Sequence, residues 1–438
     1  TIAVVKRISI YLQFCYRREN LINLFIDMNI KKRLAPILLG IVCVGLLLSC
    51  KSTPPYKIIL APVTQESGDT ELAELLNSIR LEERLPGLTA AIIVDGKLYS
   101  AAAVGVRETG TKNWLTVNDK FLIGSCAKAF TATTAAILVE EGRLNWETTL
   151  RDVFPDLDML PEYENITVEQ LLSHRAGLPK NLKEGKASWL IDYEFDKKRG
   201  SSPEILRLQY LEKTLQSKLI SPPGLKIYYS NSGYLIVSSI LEKISGQSYE
   251  SLRAEKIFQP LDITTAGYGI PADLGASSQP WGHVWDLSSS FIVYRSDYPN
   301  FFAPTGYLHL SIKDWAKFIL VHLGTYPLDN HKFLKADTLK RLHTPPDTKK
   351  FNQKSWKSPS YALGWFTYTT DKDHNLIFHG GRGLSFNAHV MVDLETKNAI
   401  LIVTNSEVGH SHPNSQILKM HKKIKKHYSD RFELPFFY

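Results

Sequence analysis

A chain of 438 residues with 44% hydrophobic and 22% charged side chains has the balance of an ordinary folded protein, without low-complexity tracts or internal repeats. Its net charge of +8 is misleading, because the first fifty residues hold seven Lys/Arg against two Asp/Glu and carry +5 of it. The +3 left for the remainder is too weak a bias to argue for a nucleic-acid partner.

Those fifty residues read as an address. After Met28 come a basic stretch (Lys31, Lys32, Arg33), an apolar run from Ala35 to Leu48, and a small residue before a cysteine. These are the parts of a secretory signal, and the run is shorter than a membrane span requires. Leu47-Leu48-Ser49-Cys50 resembles the lipobox of bacterial lipoproteins, which implies that Cys50 is the lipidated first residue of the mature chain. Residues 1–27, beginning at Thr1, then read as upstream sequence, and 1–49 as a segment to be removed. The alternative is an uncleaved anchor helix. Either way the body is expected outside the cytoplasm, in the bacterial cell envelope and tethered to a membrane. Lys51 to about Asp69, with three prolines and several polar residues, reads as the tether. With Cys15 and Cys43 removed and Cys50 acylated, Cys126 is left without a disulfide partner and is assigned to packing.

The globular part is expected over 71–430. Leu88 to Val94, Asp95-Gly96 and Leu98 to Val106 predict a β-hairpin with a tight turn. A helix follows from Ser125 to Glu141, stopped by Gly142. Ile166 to His174 predicts a short helix ending in the loop Arg175 to Pro179, and 232–245 an amphipathic helix closed by Gly246. The stretch 270–307 is loop-rich and aromatic (Trp281, Trp285, Tyr294, Tyr298, Phe301, Phe302, Tyr307), fit for core or for a pocket wall. Strand-like runs recur at 361–370, 375–379, 386–393 and 399–405, before a final helix at 412–428 with a lysine-rich, solvated face. The order predicts an α+β fold: an antiparallel sheet from about 71–120 and 305–430, flanked by helices, with a mostly helical part inserted at about 121–304.

Chemistry concentrates at three places. Ser125 and Lys128 form the only Ser-x-x-Lys in the chain, and i, i+3 residues share a helix face. A serine hydroxyl needs a base to take its proton, and an amine of lowered pKa can be that base. Tyr229-Ser-Asn231 offers a phenol to relay protons and an amide to hydrogen-bond lysine and substrate. Tyr163-Glu-Asn165, Tyr298-Pro-Asn300 and Ser385-Phe-Asn387 match that pattern equally, but only Tyr229 follows a Pro-Pro-Gly loop and opens a long helix. His379-Gly380-Gly381 follows the strand run Leu376-Ile-Phe, and paired glycines admit close backbone approach. The amide of Arg382 is then a second oxyanion donor opposite that of Ser125. His322-Leu-Gly324 and Lys183-Glu-Gly185 share the spacing but not the setting at a strand end.

Taken in order, Ser125-x-x-Lys128, Tyr229-x-Asn231 and His379-x-Gly381 resemble the three motifs of the serine β-lactamase and penicillin-binding-protein superfamily, in particular its class C branch with its esterases and D-aminopeptidases. Phe121-Leu-Ile-Gly124, Leu171-Leu-Ser-His-Arg-Ala-Gly-Leu-Pro179, Thr305-Gly-Tyr-Leu-His-Leu-Ser311 and Tyr361-Ala-Leu-Gly-Trp365 extend the likeness over most of 75–428. The resemblance implies a β-lactamase/transpeptidase-like fold, with Ser125 as acylated nucleophile, Lys128 as its base and Tyr229 as proton shuttle. It implies Asn231, His379, Gly380, Gly381 and Arg382 as substrate-binding positions, and neither cofactor nor metal. His410-Ser-His412 has no further ligands beside it and reads as a loop pair. There is no Gly-x-Ser-x-Gly elbow, which argues against the α/β-hydrolase route. One departure stands out. Class C β-lactamases carry Lys-Thr-Gly where this chain has His379-Gly-Gly, and a mostly neutral histidine attracts a substrate carboxylate less. The expectation is an exported, lipid-anchored serine hydrolase acting on a small ester, amide or peptide. Its rivals are a β-lactamase or DD-peptidase with the same machinery, and a non-catalytic lipoprotein that binds peptidoglycan fragments.

Overall fold

The computed structural model describes residues 60–181, 200–273, 278–285, 291–295, 300–328, 333–346, 360–406 and 413–436. All lie in one of two compact units of the chain, Pro55–Tyr438. The lipobox with Cys50, and His410 and His412, lie outside the described residues.

The end of the stretch read as a tether is folded. Ala61 is buried and its carbonyl accepts from Asn77 Nδ2 (2.7 Å), while Gly68 bridges Ala102. Asp69 then caps helix α1 (Thr70–Glu82), its carboxylate accepting from the Leu72 amide (2.9 Å). Strands β1 (Gly87–Val94) and β2 (Lys97–Gly105) form the expected hairpin. Asp95 and Gly96 both take positive φ (49° and 69°), as a two-residue turn of primed type demands.

Along the helical side run β3 (Lys120–Leu122), α2 (Ala127–Glu140), α3 (Val168–Leu172), α4 (Pro203–Leu215) and α5 (Asn231–Ser245). Next come β4 (Gly267–Tyr268), the hairpin β5 (Gly282–Trp285) and β6 (Phe291–Tyr294), β7 (Leu308–Ser311), α6 (Ile312–His322) and α7 (Ala336–His343). The chain returns to the sheet through β8 (Ser360–Tyr361), β9 (Phe366–Thr369), β10 (Asn375–Gly383), β11 (Phe386–Asp393) and β12 (Asn398–Thr404), and α8 (Pro413–His427) follows. The inserted part, expected to be mostly helical over 121–304, also holds β4 and the β5–β6 hairpin, and β7 pairs with β3 and β4 in a small sheet and not with the main one.

The main sheet has the order β2-β1-β12-β11-β10-β9-β8 and is antiparallel throughout. Leu88 pairs with Thr404, so β1 and β12, an early and a late strand of the chain, lie side by side within it. The alternation of β1 explains the layers. Leu88, Ala90 and Ile92 pack with Leu72, Ile79, Ile417 and Met420 of α1 and α8. Ala91 and Ile93 face the other way, into the larger core shared with α2 and α6. A strand buried on both faces reads as a continuous apolar run, as this one does. Helix α2 is buried all round from Ala127 to Ala136, which suits its many small residues, and it places its N-terminus against β10.

Candidate active site

Ser125 sits in a single 3-10 turn, Gly124–Cys126, that leads into α2. Strand β10 meets β11 along its whole length but β9 only over Asn375–Phe378, and the 3-10 turn packs against β10. His379-Gly380-Gly381 therefore lies inside a strand, not after one as the sequence suggested. The strand runs on because β11 supplies partners as far as Gly383. Two glycines permit the contact. A Cβ on Gly381 would stand 1.9 Å from the Ile123 carbonyl oxygen, and one on Gly124, which has φ +52°, would stand 2.2 Å from the Arg382 nitrogen. The backbone nitrogens of Ser125 and Arg382 thus sit on two facing segments in near contact.

Lys128, in the first turn of α2, is wholly buried, and its Nζ lies 3.1 Å from Ser125 Oγ. It donates to Asn231 Oδ1 and to the Thr305 carbonyl, both at 2.8 Å. Burial pushes its pKa well below the ordinary lysine value, and Lys180 adds to that. Three oxygen partners could each accept from an ammonium, and they satisfy a neutral amine equally well. Two partners can only accept and take the two N–H groups; the third is a hydroxyl, which can donate to the remaining lone pair. Asn231 is oriented for this by its Nδ2, which donates to Asn181 Oδ1 (2.9 Å). Ser230 starts α5 by accepting the Gly233 amide (3.2 Å), which fixes where Asn231 points from.

Tyr229 completes the group. Lys128 Nζ stands 4.9 Å from the centroid of its ring. Burial raises the phenol pKa, with a hydrogen bond to Ser125 pulling the other way, so the hydroxyl keeps its proton at neutral pH. Ser125 and Tyr229 are half-buried where Lys128 is not exposed at all. A ligand can reach the hydroxyls while the amine stays dry.

His379 is 1% exposed and turned into an aromatic cluster. Its Nδ1 donates to the Gly380 carbonyl (2.7 Å), so Nε2 is the acceptor for the Tyr361 hydroxyl (3.1 Å). Burial, aided by the nearby Lys128, lowers its pKa to about 3. The sequence suggested a mostly neutral histidine among the substrate-binding positions. Here the ring is neutral across the physiological range and both nitrogens are used within the protein. Period-two alternation explains the burial: His379 and Gly381 face inward, Gly380 and the Arg382 side chain outward.

The remaining candidates fall elsewhere. Cys126 Sγ donates to the His379 carbonyl (3.4 Å) and burial raises its pKa, so it behaves as a packing thiol. Tyr163 donates to Ser217 O (2.7 Å), Ser385 lies in the β10–β11 turn with Asn387 just inside β11, and His322 pairs with His343 (2.9 Å). Tyr298 and Lys183 lie outside the described residues. Among the described residues, the acidic group that could gather round a metal is Glu204, Glu242 and Glu250. The buried Arg207 guanidinium already bonds both Glu242 and Glu250 there. Sequence reasoning assigned no role to three residues at the centre: Thr305, Tyr361 and His174. Thr305 acts through its backbone carbonyl, which no motif can announce. Tyr361 and His174 fall in blocks that looked familial but carry no nucleophile or base spacing.

A family model described as Beta-lactamase matches residues 66–421. Protein flp of Staphylococcus aureus (strain N315) is 24% identical over 377 residues, covering 80% of this chain and 68% of that protein. Penicillin-binding protein 4 of Amycolatopsis lactamdurans is 26% identical over 319 residues, covering 68% and 75%. Among solved structures, the octameric penicillin-binding protein homologue from Pyrococcus abyssi superposes with a TM-score of 0.64 at 23% identity, covering 84% of this chain and 79% of that one. The D-amino acid amidase from Ochrobactrum anthropi SV3 does so with 0.63 at 20% identity, covering 82% and 99%. At those identities the structures speak for the fold alone. The family model spans most of the chain and includes all three motif regions, so the chain belongs to the beta-lactamase family and is a serine hydrolase of that family.

Proposed function

We propose that the protein cleaves a small amide, peptide or ester through an acyl-enzyme on Ser125. The observation that carries this is the wholly buried Lys128, whose Nζ lies 3.1 Å from Ser125 Oγ and is held by the Asn231 amide oxygen and the Thr305 carbonyl, with burial pushing its pKa well below the ordinary lysine value. As Ser125 Oγ bonds to the substrate carbonyl carbon, its proton passes to Lys128 and the carbonyl electrons move to oxygen. The Ser125 and Arg382 amides receive that oxyanion. The bond to the leaving group then breaks. Tyr229 gives its proton to the departing nitrogen or oxygen and is reprotonated from Lys128. Water repeats the sequence on the acyl group and frees Ser125.

Amides of D-amino acids, or peptides of cell-wall origin, suit the site better than β-lactam drugs. The neutral, buried His379 offers no charge to a substrate carboxylate, and the fold is shared with D-amino acid amidases. The exposed Arg382 side chain, three positions further along the same strand and on its outward face, favours one second reading, a DD-peptidase or β-lactamase. A fluorophosphonate that reacts with activated serines should label the wild type and not Ser125→Ala. Equal labelling of both, or none of either, rejects the enzyme reading in favour of a binding lipoprotein. Comparing a D-amino-acid anilide with a chromogenic cephalosporin then separates amidase from β-lactamase.

We further propose that the chain is exported and lipid-anchored through Cys50, on the strength of Leu47-Leu48-Ser49-Cys50 after a basic and apolar leader. Radiolabelled palmitate should enter the wild type and not Cys50→Ala; label retained in the variant refutes the anchor.

A further inference from the structure

His174 lies outside the three motifs, yet the segment carrying the second motif hangs from it and its neighbours. It is 1% exposed and takes φ +59°, a left-handed conformation that costs a side chain with a Cβ. Its carbonyl accepts the Tyr228 amide (2.8 Å), and its ring Nδ1 accepts the Ser230 amide (3.1 Å). One residue thus holds the backbone on both sides of Tyr229. The ring also packs on the Tyr229 ring, with centroids 4.3 Å apart, and on Tyr361 at 4.4 Å. Flanking bonds continue the pattern: Gly224 N to Arg175 O (2.7 Å), Ser230 Oγ to Pro179 O (2.7 Å) and Asn231 N to Lys180 O (2.8 Å).

Because Nδ1 accepts, the ring proton sits on Nε2, and that buried Nε2 has no partner among the described residues. An orphaned donor costs stability that an apolar side chain would not, so packing alone does not account for a histidine here. The left-handed backbone is a second local cost at the same residue. Both are tolerated where the geometry they enforce is needed.

We infer that His174 is a positioning residue for Tyr229, with its Nδ1 as the acceptor that locks the Tyr228–Ser230 backbone so that the phenol stays on Ser125. The inference rests on the acyl-enzyme reading above, and it predicts which atoms of His174 matter. Asparagine tolerates positive φ and sets Oδ1 within reach of the Ser230 amide. Glycine tolerates the backbone but offers no acceptor. Alanine offers neither.

The test measures the rate at which a fluorophosphonate labels Ser125 in the full chain, which reads how well the Tyr229 hydrogen bond holds the Ser125 hydroxyl for attack, with thermal melting as the check on folding. His174→Asn should label within a few-fold of wild type. His174→Gly should melt as a folded protein and label about 100-fold more slowly, the scale expected when a reacting group drifts by ~1 Å. His174→Ala should be slow and also less stable. A folded His174→Gly that labels at the wild-type rate overturns the inference, and so does a folded His174→Asn as slow as the glycine variant. A wild type that is not labelled at all removes the acyl-enzyme reading instead, which is a separate result.

Discussion

Lys128 and Arg207 are both cationic side chains with no solvent exposure, and the protein treats them in opposite ways. Around Arg207 it places two carboxylates: Glu250 Oε1 and Oε2 each lie 2.8 Å from guanidinium nitrogens, and Glu242 Oε1 lies 3.1 Å from Nε. Burial works against that charge, and the hydrogen bonds to Glu250 and Glu242 outweigh it. Around Lys128 it places an amide oxygen, a backbone carbonyl and a hydroxyl, with no acid. Burial then prevails, and the pKa of the amine falls well below the ordinary lysine value. Equal burial with different partners raises the pKa of one cation and lowers that of the other.

The largest effect follows from making Lys128 resemble Arg207. Lys128→Arg puts a group that does not deprotonate where a base is needed. Fluorophosphonate labelling of Ser125 should fall by at least ~10³-fold, within the range seen when a base paired to a nucleophile is lost. Labelling within tenfold of wild type would show that Lys128 is not the base. Removing the structural cation should do the reverse. Arg207→Met leaves Glu242 and Glu250 half-buried and unpaired, with an expected loss of about 3–5 kcal/mol in denaturant unfolding. Where the variant is still folded, its labelling rate should match wild type.

A subtler change moves the partner and leaves the lysine alone. Asn231→Asp keeps the shape of the side chain that faces Lys128 Nζ and adds the carboxylate that Arg207 enjoys. The lysine should then hold its proton, and labelling at pH 7 should drop by roughly 10²-fold, the weight of a general base. The sign is definite. Wild-type labelling should rise with pH as Lys128 deprotonates and then level off, and in Asn231→Asp that rise should shift to higher pH. An unchanged pH profile would detach Asn231 from the lysine.

This contrast was only half legible in the sequence. The hairpin at Asp95-Gly96, the helices stopped by Gly142 and Gly246, and the strands from both chain ends all follow local rules of turn chemistry and period. Ser125, Lys128, Tyr229 and Asn231 are legible as candidates because their spacing is itself chemical, and the fold brings the four together. What spacing cannot carry is the far side of each bond. Thr305 O reaches Lys128 across 177 positions, and Asn181 orients Asn231 across 50. The inward turn of His379 was hidden for a related reason. Which residues of a strand face the core depends on register with β11, and the expected strand stopped at His379 while β10 runs to Gly383.

The histidines repeat the lysine–arginine contrast on a smaller scale. His379 is lowered to about 3, and His283, His309 and His389 to about 4, burial being the main cause in each. His374, beside the Asp393 carboxylate at 2.8 Å, is raised instead by that hydrogen bond. For the buried set the unfolded chain takes up protons first, near pH 6.5, so their contribution to stability is complete above 6.5 and is lost as pH falls toward 4. Each can add a slope of up to about 1.4 kcal/mol per pH unit in that window. His309, whose Nδ1 donates to Gly269 O (2.9 Å), is a convenient probe away from the site. His309→Gln should flatten the fall in unfolding free energy between pH 6.5 and 4.5 by up to that one increment. His374 runs the other way: its contribution is present below the unfolded value and lost as pH rises through the folded one. His374→Gln should therefore weaken the protein at pH 5.5 and leave it unchanged at pH 9. If both variants instead shift stability equally at every pH, the histidines are packed side chains whose charge state the partners do not govern.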